Sequence, residues 1–442
     1  MVNDPASHVA RDRRRLTASV TDLAVVRQRA YLVALVRSAR EEPDGARSLV
    51  ELGLLADTAG SDAVGEALVR RARPDPATLI GSGKLRELVA ETRALDVDVV
   101  VFDNELSPAQ QRNLQNAFGC DVVDRVAVIL DIFARHAHTR EGMLQVELAQ
   151  HRYRLPRLRG RGTELSRLGA GIGTRGPGET KLETDRRRIL GRIRRIEREL
   201  ADVVRSRATR RRSRRRAGAP TVAIVGYTNA GKSTLFNRLT DAAVLVEDRL
   251  FATLDSTVRR LELPDGHEAL LSDTVGFVRK LPHELVEAFR STLEEVVDAR
   301  LLLHVVDAAT EDPDGQIAAV RTVLAEIGAG GNAELLALNK VDVAAPAAVR
   351  RLRALHPDAV AVSARTGRGI PELRRAIVAA LRARTVEVDL LVPYARGDVL
   401  GAIHDAGDVV SLAHEPGGTR LRARLPDTQA VRFDAFVVDG TR

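Results

Sequence analysis

The chain is poor in the residues that build cross-links and stacking platforms. Of 442 residues one is cysteine, Cys120, none is tryptophan, and aromatics make up 3%. A single thiol excludes an intramolecular disulfide and a multi-cysteine zinc site, and it fits a reducing cytoplasm. Scarce rings argue against recognition mainly by stacking bases on exposed side chains. Long apolar runs are missing too. Stretches such as Leu301–Val306 fall far short of the roughly 20 residues that span a bilayer, so no integral membrane segment is expected. The N-terminus carries charges without an apolar core and does not read as a signal peptide. A soluble, cytoplasmic protein is the expectation.

What is present is arginine. Lys and Arg number 68 against 60 Asp and Glu, a net charge of +8, which favours a polyanionic partner. At 44% hydrophobic residues a packed core is possible throughout, and the length is too great for one core.

The most informative stretch is Val222–Thr234, VAIVGYTNAGKST. An apolar strand runs into Gly226, and four residues later come Gly231, Lys232 and Ser233; Leu235, Phe236 and Leu239 then give helical spacing. This is a phosphate loop in its confirming context, strand before and helix after. Glycines let the N–H groups of Gly226, Tyr227, Thr228, Asn229, Ala230 and Gly231 wrap an anion, and the following helix aims its positive dipole end there. Lys232 is the expected partner of the β- and γ-phosphates, Ser233 a magnesium ligand, and Thr234 the next residue of the cradle.

Further elements follow in a telling order. Phe251, Ala252 and Thr253 lie on a loop where a threonine can reach magnesium and report the γ-phosphate; Thr253 is the expected residue, with Thr257 in reserve. Two strands, Val258–Leu263 and Glu268–Ser272, flank a Pro264-Asp265-Gly266 turn. The second ends in Asp273, Thr274, Val275 and Gly276, where Asp273 suits an outer-shell magnesium carboxylate and Gly276 can offer its N–H to the γ-phosphate. Behind the buried strand before it stands Asn339-Lys340-Val341-Asp342. A carboxylate at Asp342 accepts from N1–H and the 2-amino group of guanine, and adenine lacks that donor pair. Asn339 is expected to brace the loop, Lys340 to cover the base, and Ala364, within Ser363-Ala364-Arg365, to offer its N–H to guanine O6. The pattern predicts GTP rather than ATP as ligand, with Mg²⁺ as cofactor. His283–Glu287 only imitates a metalloprotease helix, since Glu287 stands where the second histidine belongs.

Around this core the chain reads as follows. Residues 1–20 form a basic, disordered arm and 21–140 an α/β domain with a mostly parallel sheet. In that domain Gly81-Ser82-Gly83-Lys84 reads as a helix-capping turn rather than a second phosphate site, and Asp124, Asp131 and His136 as a solvated helix face. In 141–216 Leu144, Leu148, Leu155 and Leu158 share a heptad seam with His151, facing Ile189, Ile193, Ile196, Leu200 and Val203 on a second helix. Two such seams predict an antiparallel hairpin. Its connection, Gly160–Thr180, is glycine-rich and carries Arg161, Arg167 and Arg175, while Arg186, Arg187 and Arg188 open an intensely basic helix; these six are candidate RNA contacts. Its Gly169, Gly171 and Gly173 have no strand before them, which argues against a dinucleotide fingerprint. Residues 217–384 form the nucleotide domain, with Lys232, Thr253 and Gly276 as candidate catalytic residues, and 385–442 a small α+β domain.

Several stretches together resemble the HflX family of translational GTPases in the Obg-like branch. They are Ile80–Lys84, Phe102–Pro108, Gly171–Thr180, Glu183–Arg188, Gly226–Thr234, Phe251–Asp255, and Asp273–Phe277 with Leu281-Pro282-His283. The likeness spans almost the whole chain. Ser256 stands where proline is expected and Arg365 where lysine is common. The resemblance implies an α/β protein in which a P-loop GTPase domain follows an α/β domain with a long helical hairpin and precedes a small α+β domain. It further implies a Mg²⁺-dependent GTPase that binds the large ribosomal subunit and separates subunits of stalled or vacant ribosomes, cycling between GTP and GDP, and monomeric off the ribosome. The hairpin and glycine loop would reach toward the peptidyl-transferase region. A reading in another class is an assembly or RNA-chaperone factor using GTP as a timer. Phe277 follows Gly276 where Ras-like enzymes carry a water-positioning glutamine, so slow intrinsic hydrolysis with help from a partner is expected.

Overall fold

Two units make up the chain, Met1–Arg125 and Val126–Arg442, and the computed structural model describes residues 27–158, 177–216, 220–240, 250–251, 257–279, 290–383, 385–426 and 430–438. Strands and helices alternate through the first unit: β1 (Gln28–Val36), α1 (Glu42–Thr58), β2 (Ser61–Arg70), α2 (Ser82–Ala94), β3 (Val99–Phe102), α3 (Pro108–Phe118) and β4 (Asp121–Asp124). The sheet runs β2-β1-β3-β4 with all pairs parallel. Tyr31, Val33 and Leu35 on one face of β1 pack with Leu88 of α2 and Leu114 of α3, whereas Leu32 meets Gly53 of α1 on the other. A parallel sheet covered on both faces needs apolar strands throughout, and all four residues of β3 are buried.

Helix starts follow local chemistry. Ser107 and Gln110 form a reciprocal capping box and Pro108 takes the first helical position of α3. Gly81 sits at φ +83° immediately before α2, so the Gly81–Lys84 stretch is a helix-starting turn that a side chain would strain. The expectation of a shared solvated face for Asp124, Asp131 and His136 is corrected. Asp124 ends β4, is fully buried, and accepts the Leu106 N–H at 3.2 Å. A carboxylate there satisfies a loop donor at the strand end, a demand that sequence spacing does not show. Asp131 and His136 do lie on a helix, α4 (Arg125–His136), where Asp131 pairs with Arg135 at 2.7 Å. A buried polar group also went unforeseen: Ser48 donates to both oxygens of Asp103, which Arg125 meets at 2.7 Å.

In the second unit α4 is followed by the hairpin of α5 (Arg140–Arg157) and α6 (Pro177–Arg216). Leu144 and Leu148 interlock with Ile193 and Ile196, flanked by Leu155, Ile189 and Leu200. Antiparallel register is locked outside the seam by Arg192, which donates twice to Glu147 at 2.7 Å, and by Arg140 with Glu199 at 2.8 Å. His151 lies along the seam with Nε2 3.4 Å from Glu147. Ile196 is 0% exposed. Ile196→Ala is therefore expected to cost about 2–4 kcal/mol, the lost transfer energy plus a seam cavity, read as a lower midpoint in urea unfolding.

A six-stranded sheet follows, ordered β10-β9-β8-β5-β7-β6. It comprises β5 (Thr221–Gly226), β6 (Thr257–Glu262), β7 (Glu268–Asp273), β8 (Leu301–Asp307), β9 (Ala333–Asn339) and β10 (Val360–Ala361), parallel except for the β6–β7 pair. Helices α7 (Lys232–Thr240), α8 (Arg290–Val297), α9 (Pro313–Glu326), α10 (Pro346–Leu355) and α11 (Ile370–Arg382) accompany it. Leu235, Phe236 and Leu239 of α7 pack on Val222 and Ile224 of β5 and on Leu373 and Ile377 of α11. The tail adds β11 (Thr385–Val392), α12 (Gly397–Ala406), β12 (Asp408–Glu415) and β13 (Gly418–Pro426), an antiparallel sheet whose inner face closes on Val399 and Ile403 of α12. Among the described residues no helix is long and apolar enough to cross a membrane.

Candidate nucleotide site

Four elements of the predicted site lie at carboxyl ends of the six-stranded sheet, where open α/β sheets bind ligands. β5 delivers Gly226, β7 delivers Asp273, β9 delivers Asn339, and β10 leads into Ser363. Two glycines are obligatory. Gly226 has φ +149°, and a Cβ on it would stand 2.3 Å from the Val305 carbonyl of the next strand. Gly231 has φ +89°, and a Cβ there would meet Asn339 Nδ2 at 2.3 Å. Asn229 takes the left-handed region at φ +57°, which asparagine tolerates.

Lys232, the first residue of α7, is buried and donates to the Tyr227 carbonyl at 2.8 Å. Burial pulls its ammonium down to about 8, with the charge of Asp273 pulling the other way. A cation held this far out of water at a helix N-terminus fits an incoming polyphosphate. Thr228 is buried beside it, and its Oγ1 has no hydrogen-bond partner among the described residues. The Ser233 hydroxyl donates to Asp273 Oδ2 at 2.9 Å, which brings two of the three expected magnesium residues together. A hydroxyl and a carboxylate are the oxygen donors that a hard divalent cation takes, so this pair fits Mg²⁺. Thr253, the third, and Ala252 lie outside the described residues.

Residues 276–279 lie directly against the P-loop. Thr228 N–H donates to the Phe277 carbonyl at 2.7 Å, Phe277 N–H to the Gly226 carbonyl at 3.1 Å, and Arg279 N–H to Tyr227 Oη at 2.7 Å. A Cβ on Gly276 would come within 2.8 Å of Lys232 Nζ and of Thr228 Cγ2. Glycine is thus required where the strand end meets the lysine. Arg279 continues to Asp312, the cap of α9. Phe277 is buried, its ring carrying no proton-transfer group.

Several predicted residues face elsewhere than expected. The Thr274 hydroxyl donates to the Ile224 carbonyl at 2.6 Å and is fully buried, so it ties β7 to β5 rather than pointing at a ligand. Val275 is buried beside it. Phe251, at φ +59°, is turned inward with its ring edge-on to Phe133 of α4 at 4.6 Å. Thr234 is half-buried on α7.

At the base end, Asn339 is a two-way brace: its Nδ2 donates to the Ala230 carbonyl at 2.8 Å and its Oδ1 accepts the Ala364 N–H at 2.9 Å. That N–H, expected to face guanine O6, is engaged with Asn339, which folds against the loop from the end of β9. Lys340, at φ +62°, pairs with Asp307 at 2.8 Å. The Asp342 carboxylate meets Arg365 at 2.7 Å. A hydrogen bond from Ser363, opposed by burial and aided by Arg365, holds its carboxyl below the usual carboxylate range. One element escaped sequence reasoning: His304, buried on β8 opposite Val225 of β5, lies 2.6 Å from Glu334, which also binds Arg321. Nothing in the spacing of Leu301–Val306 marks that pair.

A sheet of this order, a glycine-cradled lysine at the first helix, a serine–aspartate pair beside it and an Asn-Lys-x-Asp loop at the neighbouring strand end together define a P-loop GTPase. Comparison with known proteins carries this further. Family models match as "GTP-binding GTPase N-terminal" over residues 46–134, "GTP-binding GTPase Middle Region" over 136–214 and "50S ribosome-binding GTPase" over 221–340. The chain is 45% identical over 417 residues to GTPase HflX of Caldanaerobacter subterraneus subsp. tengcongensis, covering 94% of this chain and 95% of that one. It is 45% identical over 381 residues to GTPase HflX of Escherichia coli, covering 86% and 89%. A solved GTP-binding protein of Sulfolobus solfataricus in complex with GDP shares 23% identity over 80% of this chain and 98% of that one, with a TM-score of 0.40, an overlay too loose to bear on the site. The chain belongs to the HflX GTPase family, and it binds and hydrolyses GTP.

Proposed function

We propose that the protein uses GTP, with Mg²⁺, to bind the large ribosomal subunit and to separate the subunits of stalled or vacant ribosomes, acting in the cytoplasm and as a monomer when off the ribosome. The observation that carries this reading is the pairing, within one unit, of a GTP site with the 40-residue helix α6. One side of α6 is spent on the seam, and Arg186, Arg187, Arg188, Arg194 and Arg195 are exposed. Glu183, Asp185 and Glu199 partly balance Arg187, Arg188 and Arg195. The remaining cations suit an RNA backbone, whose binding releases counterions. Arg161, Arg167 and Arg175, proposed to join them, lie outside the described residues. The match to ribosome-binding GTPases over residues 221–340 supports the same partner.

In the site, Lys232 and the phosphate loop bind and orient the phosphates, the Thr228 and Ala230 N–H groups being spent on the Phe277 and Tyr227 carbonyls, and Asp342 reads the base. Ser233 and Asp273, with Thr253, would hold Mg²⁺, which when bound neutralises charge on the phosphates. Gly276 offers its N–H toward the γ-phosphate, the signal that distinguishes GTP from GDP. Phe277 provides no group to orient water, so hydrolysis waits for the ribosome to supply it. The test is a sucrose gradient. Full-length protein with a non-hydrolysable GTP analogue is expected to convert intact ribosomes to subunits, and GDP is not. Ribosomes that stay whole while immature large subunits are bound would instead favour the assembly reading.

A further inference from the structure

The loop from Ser363 to Arg365 has no regular structure to satisfy its carbonyls, and both of those at its tip are served from another element. Arg238 of α7 donates from Nε to the Ala364 carbonyl at 3.1 Å and from Nη2 to the Arg365 carbonyl at 2.7 Å. Two donors on one edge of a planar guanidinium match two successive carbonyls, a geometry that a lysine ammonium does not reproduce. The same loop reaches Asp342 twice, through the Arg365 guanidinium at 2.7 Å and through Ser363. Arg238 sits six residues after Lys232 on one short helix, a rise of about 9 Å at 1.5 Å per residue. The helix that starts at the phosphates therefore also grips the loop that orients the base-reading carboxylate. On the opposite side Asn339 ties that loop to the P-loop carbonyl of Ala230.

We propose that Arg238 is a positioning residue for guanine recognition: from the phosphate-binding helix it holds the Ser363–Arg365 loop so that Arg365 and Ser363 present Asp342 to the base. This rests on the reading of Asp342 as the guanine acceptor. Arg238 touches no nucleotide; it sets the spacing between the phosphate cradle and the base reader. Its loss leaves the cradle intact and loosens only the reader, so the phosphate-binding and base-binding contributions come apart.

The experiment measures displacement of a fluorescent GDP from the full chain by GDP, IDP and pyrophosphate, in wild type, R238A, R238K, D342A and R238A/D342A, with melting temperatures alongside. IDP lacks the 2-amino group and pyrophosphate lacks the base. R238A is expected to weaken GDP about tenfold and to shrink the GDP-over-IDP preference, with pyrophosphate affinity unchanged. R238K, with one donor centre, is expected to recover less than half of the loss on a logarithmic scale. In the D342A background R238A is expected to add less than twofold. Equal loss for GDP and pyrophosphate, or an undiminished GDP-over-IDP ratio, would overturn the role assigned to Arg238 while leaving the guanine reading standing. A D342A protein that keeps full preference for GDP over IDP would overturn the guanine reading itself, and this inference with it.

Discussion

Asp342→Asn is expected to move the preference of the site from guanine to xanthine nucleotides. The carboxylate offers two acceptors to N1–H and the 2-amino group of guanine, charge-assisted bonds of about 1.5–3 kcal/mol each. An asparagine turns one acceptor into a donor, which then faces the 2-amino donor. Loss of guanine affinity by roughly 10²- to 10⁴-fold follows from the two bonds. Xanthine carries an oxygen at position 2, so its donor–acceptor pair matches the amide. The ion pair with Arg365 is lost as well, but Arg365 is 75% exposed, and an exposed pair adds little to stability. The fold should survive. Competition between GDP and XDP for D342N decides the matter: a variant that still prefers GDP would show that the loop after β9 does not read the base. Because the wild-type carboxyl is held below its ordinary range by Ser363 and Arg365, guanine affinity should stay flat across neutral pH and fall only under strongly acid conditions.

How much of this site could be read beforehand depended on whether residue spacing maps to geometry. The P-loop did so because both glycines take positive φ and a Cβ would stand 2.3 Å from the Val305 carbonyl at Gly226 and 2.3 Å from the Asn339 amide at Gly231, a demand that no other residue type meets. The helical seam of the hairpin was legible for a similar reason: its period is the packing, and Ile193 and Ile196 sit where the heptad puts them. Hydrogen-bond partners were not legible. Thr274 turned out to serve Ile224, the Ala364 amide to serve Asn339, and Asp124 to serve Leu106, because the nearest acceptor or donor is settled by tertiary contact rather than by sequence neighbours. The same applies to Arg238, an ordinary surface-helix arginine in the sequence that becomes a clamp only when β10 and its loop fold beside α7. The sheet order was likewise invisible in the strands themselves. Parallel pairing brings Asp273, Asn339 and Ser363 to one edge although they are spread over about 90 residues.

The Lys232 ammonium carries an effect of comparable size, and its burial gives that effect a pH signature. Removing it by Lys232→Ala strips the polyphosphate of a buried cationic partner, which at a cost of about 2–5 kcal/mol means roughly 30- to 5,000-fold weaker GDP or GTP binding. The ammonium is held at about 8 in the nucleotide-free protein against the ordinary lysine value of 10.5, chiefly by burial. Bound phosphate favours the charged form and raises that value, so above about pH 8 binding must take up a proton. Nucleotide affinity is therefore expected to be level to about pH 7.5 and then to fall, approaching tenfold per pH unit beyond 8. Stability of the nucleotide-free protein moves the other way. The native state has a depressed lysine, the unfolded chain binds the proton more tightly, and stability from this group rises as pH goes from about 8 toward 10.5. The opposite slopes, calorimetric affinity falling while the nucleotide-free melting temperature gains, identify one buried amine as the source of both. K232A should flatten the two together and leave the empty protein no less stable near neutrality, since the charge it removes is costly to bury until phosphate arrives. A pH-independent affinity between 7.5 and 9.5 in wild type would mean that Lys232 is not held near 8 in the empty site or does not meet the phosphates, and K232A, by keeping or losing affinity, tells the two apart.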